Sequence, residues 1–140
     1  MPDTPAYVHL VPGKPVPALD SPFPFRAVVV VDGQVTQDWQ SLVSDWLVQS
    51  GCLYMMAWGF NCSSWDESVD LSNLEIFGYG EIPDDQFVMT TWHADEPLSE
   101  AFWFAKNTAF HPTIELKQTV IVHISAEPAA DKMLEAYDEA

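Results

Sequence analysis

Runs of apolar, β-branched residues alternate with helical segments along this chain, and this alternation limits the possible folds more than any other feature. PFRAVVVVD (24–32) is a continuous apolar run, which is typical of a strand that is buried on both faces. Three later segments have a similar character and are predicted as strands: CLYMMAW (52–58), QFVMTTW (86–92) and TVIVHIS (119–125).

Helical periodicity fills the gaps between these runs. Residues 36–50 predict a helix, because their apolar side chains fall at i, i+3, i+4, i+7 and i+8 and form a single stripe: Trp39, Leu42, Val43, Trp46 and Leu47. Ser64 and Glu67 match the capping box of a short helix at about 64–73. Asp95 or Glu96 is expected to cap a further helix that reaches about Phe110, with Pro97 in its first turn. Residues 74–80 are either irregular or an extra edge strand.

Strand and helix therefore alternate, which predicts an α/β fold: a three-layer sandwich around a mostly parallel sheet of four to five strands, with flavodoxin/Rossmann-like topology. Numbering the four runs in chain order, we expect the strand order 2-1-3-4. A single α/β domain is expected at 26–126, followed by an acidic C-terminal helix or tail at 127–140. Residues 1–25 hold seven of the eleven prolines and predict an extended Pro-rich arm, which Tyr7 and Leu10 could attach as an edge segment.

In sheets of this kind, ligands bind beyond the carboxyl ends of the strands, where the strand order reverses. In the order 2-1-3-4, Asp32 and His93 end adjacent strands and share one crevice. The candidate catalytic residues are His93 as acid or base, Asp32 to orient it, and Cys62 as a nucleophile beside a helix start. The candidate binding residues around them are Asn61, Ser63, Trp65, Asp66, Thr91, Trp92, Asp95 and Glu96.

Plainer interpretations of these residues remain open. His93 could simply be hydrogen-bonded to Asp95, while Asp95 and Glu96 could serve only as helix caps. Cys62 could be an inert core residue, and His123, inside an apolar strand, is expected to be structural. No metal site is expected, because His93, Asp95 and Asp66 lack a diagnostic spacing. No cofactor is expected either, since the sequence has no P-loop and no complete glycine-rich dinucleotide motif.

Charge narrows the range of partners. Twenty-one acidic and five basic residues give a formal net charge of −16. Such a surface repels phosphate backbones and anionic membranes, so we expect neither direct nucleic-acid binding nor membrane binding. The start of the chain does not match a signal peptide, and no apolar run is long enough to span a membrane. Two cysteines, without a zinc or redox spacing, favour a cytoplasmic location.

Three functional hypotheses follow from this sequence. The first is a small acidic interaction protein that engages a basic protein partner, or mimics a nucleic acid, through its negative surface. The alternative is a small enzyme or ligand-binding domain that uses the crevice around His93. A homodimer is also possible, because Phe102, Trp103 and Phe104 cannot all face the same side of one helix.

Overall fold

The computed structural model describes residues 4–19 and 24–140, which form five strands and four helices. The strands are β1 (Ala6–Leu10), β2 (Phe25–Val31), β3 (Cys52–Gly59), β4 (Met89–His93) and β5 (Gln118–Ile124). The helices are α1 (Gln37–Gln49), α2 (Ser63–Ile76), α3 (Leu98–Asn107) and α4 (Ala130–Glu139), and a 3-10 turn at Asp84–Gln86 precedes β4.

All five strands are parallel, and they lie in the order β1-β5-β2-β3-β4. The central strands β2, β3 and β5 are almost entirely buried, as their unbroken apolar sequences predict. β1 and β4 are the two edge strands, and their side chains are mostly half-buried.

Helices cover both faces of the sheet. Right-handed crossovers put α1 and α2 on one face, where they contact each other and the strands β3 and β4. The connection from β4 to β5 runs back across the opposite face, so α3 packs there on β2 and β3, with α4 beside it. The predicted α/β class, the parallel sheet and a Rossmann-like sandwich are therefore confirmed.

The predicted strand order was wrong. The run at 86–92 was expected next to the first strand, but β4 pairs only with β3 and lies at the edge, while β5 pairs with β2. Because β3 lies between β2 and β4, the ends of β2 and β4 are separated by two interstrand spacings, about 10 Å. Asp32 and His93 consequently do not end adjacent strands, and the single crevice expected from the sequence is not formed.

The N-terminal region contributes a strand to the sheet. β1 pairs with β5 over its whole length, from Ala6 opposite Val120 to Leu10 opposite Ile124. The segment after β1 then packs on α1, where the indole nitrogens of Trp39 and Trp46 donate to the carbonyl oxygens of Lys14, at 2.9 Å, and Pro17, at 2.7 Å. Residues 1–3 and 20–23 of the expected Pro-rich arm lie outside the described residues, and an arm at 1–25 stays a prediction.

The start and the end of α2 both differ from their predictions. α2 begins at Ser63, after Cys62, without a side-chain cap, and the Ser64 hydroxyl donates to the Asn61 carbonyl oxygen (2.7 Å) instead of forming a capping box. α2 also continues to Ile76, through part of the segment that was expected to be irregular or an edge strand.

In the described part of the chain, none of the helices has the length and apolar character needed to cross a membrane.

Candidate functional site

The predicted site residues lie at three separate places along the carboxyl edge of the sheet. The first group lies in β4 and the turn that follows it: Thr91, Trp92, His93, Asp95 and Glu96. A second group lies between β3 and the first turn of α2: Asn61, Cys62, Ser63, Trp65 and Asp66. Asp32 stands apart from both groups at the end of β2, where it meets β5.

His93 ends β4 as a buried side chain with 9% exposure. Its Nδ1 lies 2.5 Å from Glu96 Oε1, and its Nε2 lies 3.0 Å from the Thr91 hydroxyl. A neutral ring satisfies both contacts when Nδ1–H donates to the carboxylate and Nε2 accepts from the hydroxyl. The ring also packs edge-on against Phe104, with 4.9 Å between the ring centroids. Both nitrogens of His93 are therefore engaged by neighbouring side chains.

The turn after β4 corrects the assignment of Asp95 and Glu96 as helix caps. Asp95 adopts a left-handed backbone conformation (φ 60°), and Pro97 occupies the position before α3, which has no side-chain cap. Glu96 turns back to His93, and its backbone carbonyl accepts a 2.7 Å hydrogen bond from the Trp58 indole nitrogen. The partner of His93 is therefore Glu96 rather than Asp95.

α2 packs against β4, and we call the surface formed by Thr90 and Trp92 of β4 with Asp66, Asp70 and Leu74 of α2 the groove. The Thr90 hydroxyl donates to the Asp70 carboxylate at 2.9 Å, which places Thr90 on the α2 face of the sheet. Trp92 lies two residues further along the same face and is 50% exposed. Asp66 and Leu74 lie four residues before and after Asp70, so they extend the same stripe of α2 along the strand.

The surroundings of Asp70 in this groove disfavour the charged form of its carboxyl group. Burial raises the pKa of its carboxyl group above the ordinary value, the Thr90 hydrogen bond partly opposes this effect, and the nearby charges of Asp66 and Glu67 raise the pKa further. No described lysine or arginine is paired with Asp70. The groove thus holds two carboxylates, Asp66 and Asp70, and no described lysine or arginine pairs with either of them.

The residues between β3 and α2 line a pocket of about 370 Å³. Its walls include Gly33, Gln40, Asn61, Ser64 and Trp65, from the loops after β2 and β3 and the first turns of α1 and α2. Cys62 is buried with 4% exposure and does not line this pocket, so its thiol is poorly placed for attack on a ligand there. Burial raises the pKa of the other free thiol, Cys52, to about 12, which makes it inert.

One glycine shapes this edge of the sheet. Gly59 ends β3 with φ 106°, and a Cβ atom at this position would lie 2.2 Å from the Val31 carbonyl oxygen. The same oxygen accepts a 2.9 Å hydrogen bond from the Phe60 amide. Glycine is therefore required for the chain leaving β3 to cross so close to the end of β2.

Asp32 belongs to a polar network that the sequence did not reveal. Its carboxylate accepts a hydrogen bond from His123 Nε2, while His123 Nδ1 accepts from the Tyr7 hydroxyl at 2.7 Å. The Tyr7 oxygen in turn accepts from the backbone amide of Ala129 at 2.9 Å. His123 is only 2% exposed, which fits the structural role expected for it. This network ties β1, β2, β5 and the start of α4 together at the point where the strand order reverses.

Sequence reasoning also missed Asp70 and Leu74 as members of the groove. Both lie on α2, far along the chain from β4, and only the packing of the helix on the edge strand brings them together. The spacing of Asp66, Asp70 and Leu74 was the available signal, since residues four apart share one helix face. The described residues contain no group of three or more His, Cys, Asp or Glu side chains that could hold a metal ion.

Comparison with known proteins identifies a family for nearly the whole chain. A family model described as "Domain of unknown function (DUF7684)" matches residues 5–140. The chain belongs to this family. The match begins just before β1 and ends with α4, so the family domain includes both edge strands and all four helices. No curated protein and no solved structure matches the chain.

Proposed function

We propose that this member of the family is a small acidic interaction protein that binds a basic protein partner. The observation that carries the proposal is the distribution of charge along the fold. Residues 27–105 contain thirteen aspartates and glutamates and no lysine or arginine. This segment forms most of β2, α1, β3, α2, β4 and most of α3, so these elements contribute carboxylates and no lysine or arginine side chain.

The described lysines form no ion pairs with these carboxylates. Arg26 donates to the carbonyl oxygens of Ala109 and Leu116, and Lys106 donates to three carbonyl oxygens near the end of α4. The carboxylates of Glu96 and Asp32 contact histidines instead, His93 and His123 respectively. A surface with unpaired charge of one sign accelerates association with a partner of opposite charge and disfavours other partners.

The alternative, an enzyme or ligand-binding domain around His93, has less support. Both ring nitrogens of His93 are engaged, Asp32 is held by His123, and Cys62 is buried away from the pocket between β3 and α2. The interaction proposal includes a cytoplasmic location, for which the two free cysteines are the support. Nucleic-acid mimicry is a special case of the same proposal, because such a mimic also binds a basic surface.

The test compares the proteins that copurify with two variants of equal net charge. The first variant neutralises three carboxylates in the acidic segment: Asp66→Asn, Glu67→Gln and Glu75→Gln. The matched control neutralises three carboxylates of α4: Asp131→Asn, Glu135→Gln and Glu139→Gln. Partners are allowed to bind either at low salt or at about 0.5 M salt. Bound partners are then crosslinked, purified and quantified by mass spectrometry.

We expect a partner rich in lysine and arginine that the wild type and the control retain, and that the first variant loses about tenfold. High salt should release the same partner from all three proteins. If the captured proteins bind both variants equally, or if none of the selectively lost proteins is basic, the proposal is wrong.

A further inference from the structure

β4 has an open outer edge. Its backbone pairs with β3 on one side, and on the other side no described residue forms a hydrogen bond with the backbone of Met89–His93. The strand contains no proline, no lysine and no register shift, which are features that commonly protect an exposed edge. A partner segment in an extended conformation can therefore pair with this edge.

The groove beside this edge has both an apolar anchor and charge. Trp92, half of whose surface is exposed, can pack against an apolar or aliphatic side chain. Leu74, at 38% exposure, lies towards the other end of the strand, because its neighbour Asn73 bonds the Val88 amide. Asp66 and Asp70 lie on the same stripe of α2 as Leu74. An aromatic side chain beside carboxylates suits long basic side chains, whose methylenes pack on the ring while their charged ends reach the acidic groups.

Carboxylates also flank both ends of the strand. Asp84 and Asp85 lie in the 3-10 turn before β4, and Asp95 follows it in the turn before α3; all three are exposed. Five residues of an extended strand span about 17 Å, so a bound segment of about seven residues would reach from one acidic end to the other. Basic residues at either end of such a segment would find unpaired carboxylates.

We propose that the basic partner docks by adding an extended, lysine- and arginine-containing segment along the outer edge of β4, with Trp92 as its apolar anchor. This inference rests on the proposed function and names the surface that performs it. A second copy of this chain is a poorer occupant, because pairing two β4 edges would bring the carboxylates around both strands together. A basic segment instead neutralises the charges of Asp66 and Asp70.

The experiment uses the full chain and a library of random ten-residue peptides, selected without bias for charge. The binding of the selected peptides is measured by calorimetry on wild type and on two variants, Trp92→Ala and Trp103→Ala. Trp103 is a matched control, because it is also 50% exposed but lies on α3, on the opposite face of the sheet. A second comparison uses two double variants. One carries Asp66→Asn and Asp70→Asn in the groove, and its control carries Glu135→Gln and Glu139→Gln in α4. Circular dichroism verifies that each variant is folded.

We expect the selected peptides to contain an excess of lysine and arginine alternating with apolar residues. Trp92→Ala and the Asp66/Asp70 pair should each weaken binding by about tenfold or more, whereas both controls should bind as the wild type does. Bound peptide should slow hydrogen exchange of the backbone amides in residues 89–93.

The other outcomes separate this inference from the proposed function. Basic peptides that bind Trp92→Ala normally and protect a different segment would overturn the β4 site and leave the proposed function intact. Self-association of the chain that Trp92→Ala abolishes would show that a second copy occupies the edge, and would overturn the peptide site. Selection of peptides without an excess of basic residues, or of no peptides at all, would overturn the β4 site, while the proposed function is decided by the crosslinking comparison of the two charge variants.

Discussion

At the scale of single residues, Asp70 links the groove to the stability of the protein. Its pKa is raised in the folded state by burial, with Asp66 and Glu67 adding to the effect. A folded state with a raised pKa binds the proton more tightly than the unfolded chain does. The resulting stabilisation is complete below the ordinary aspartate pKa and is lost as the pH rises through the raised value.

Asp70→Asn should remove this loss of stability at higher pH. The asparagine oxygen can still accept from the Thr90 hydroxyl, but it carries no charge. We therefore expect the free energy of unfolding of the variant, relative to wild type, to increase between about pH 4 and about pH 7. Urea unfolding followed by tryptophan fluorescence measures this difference, with Glu135→Gln as the control for an equal change in net charge. A difference that stays constant over this range would contradict the prediction.

Residue-scale prediction from the sequence succeeded where the signal was local. The exposure of one aromatic among Phe102–Phe104 was expected, and Trp103 is the exposed one, while the homodimer built on it stays a prediction. The partner of His93 was misassigned because Asp95 and Glu96 both follow it within three residues, and only the left-handed turn at Asp95 decides between them. The contacts of His123 with Tyr7 and Asp32 span more than ninety positions, so no local pattern could indicate them.

At the scale of elements, the sequence predicted which segments are strands and helices better than it predicted their arrangement. The apolar runs identify β2, β3 and β5 because each is buried on both faces. The strand order depends on where β5 enters the sheet after the connection through α3. Local periodicity carries no information about that position. The polar residues of β4, Thr90 and Thr91, were a usable signal for an edge strand, whereas the uninterrupted run of β5 suited a central one.

β1 was obscured in the sequence by the prolines on either side of it, and it is held to the sheet in part by one side chain. The Tyr7 hydroxyl donates to His123 of β5 and accepts from the amide of Ala129 at the start of α4. Tyr7→Phe should leave both partners without this bond and should lower the free energy of unfolding by about 1–3 kcal/mol. Backbone amides of β1 and the first turn of α4 should then exchange faster by hydrogen–deuterium exchange. Tyr79→Phe is the control, since Tyr79 is 64% exposed and should change stability little.

At the scale of the whole molecule, the net charge of −16 acts on stability as well as on binding. The carboxylates of residues 27–105 repel one another in the compact state, and this repulsion is weaker in the expanded unfolded chain. A basic partner would relieve the repulsion locally, whereas dissolved salt screens it everywhere. Binding of a partner and added salt should therefore both stabilise the fold, although salt weakens the binding itself.

Salt dependence of stability tests this view of the charge. Raising sodium chloride from about 10 mM to about 0.5 M shortens the screening length from about 30 Å to about 4 Å. We expect the free energy of unfolding to rise by about 1 kcal/mol and the melting temperature by about 4 °C. A variant with Asp38→Asn, Glu67→Gln, Glu81→Gln and Asp84→Asn should start from a higher stability at low salt and respond less to salt, because it has less repulsion to screen. An equal response of both proteins would show that self-repulsion does not govern the effect, and that the acidic surface places little strain on the fold.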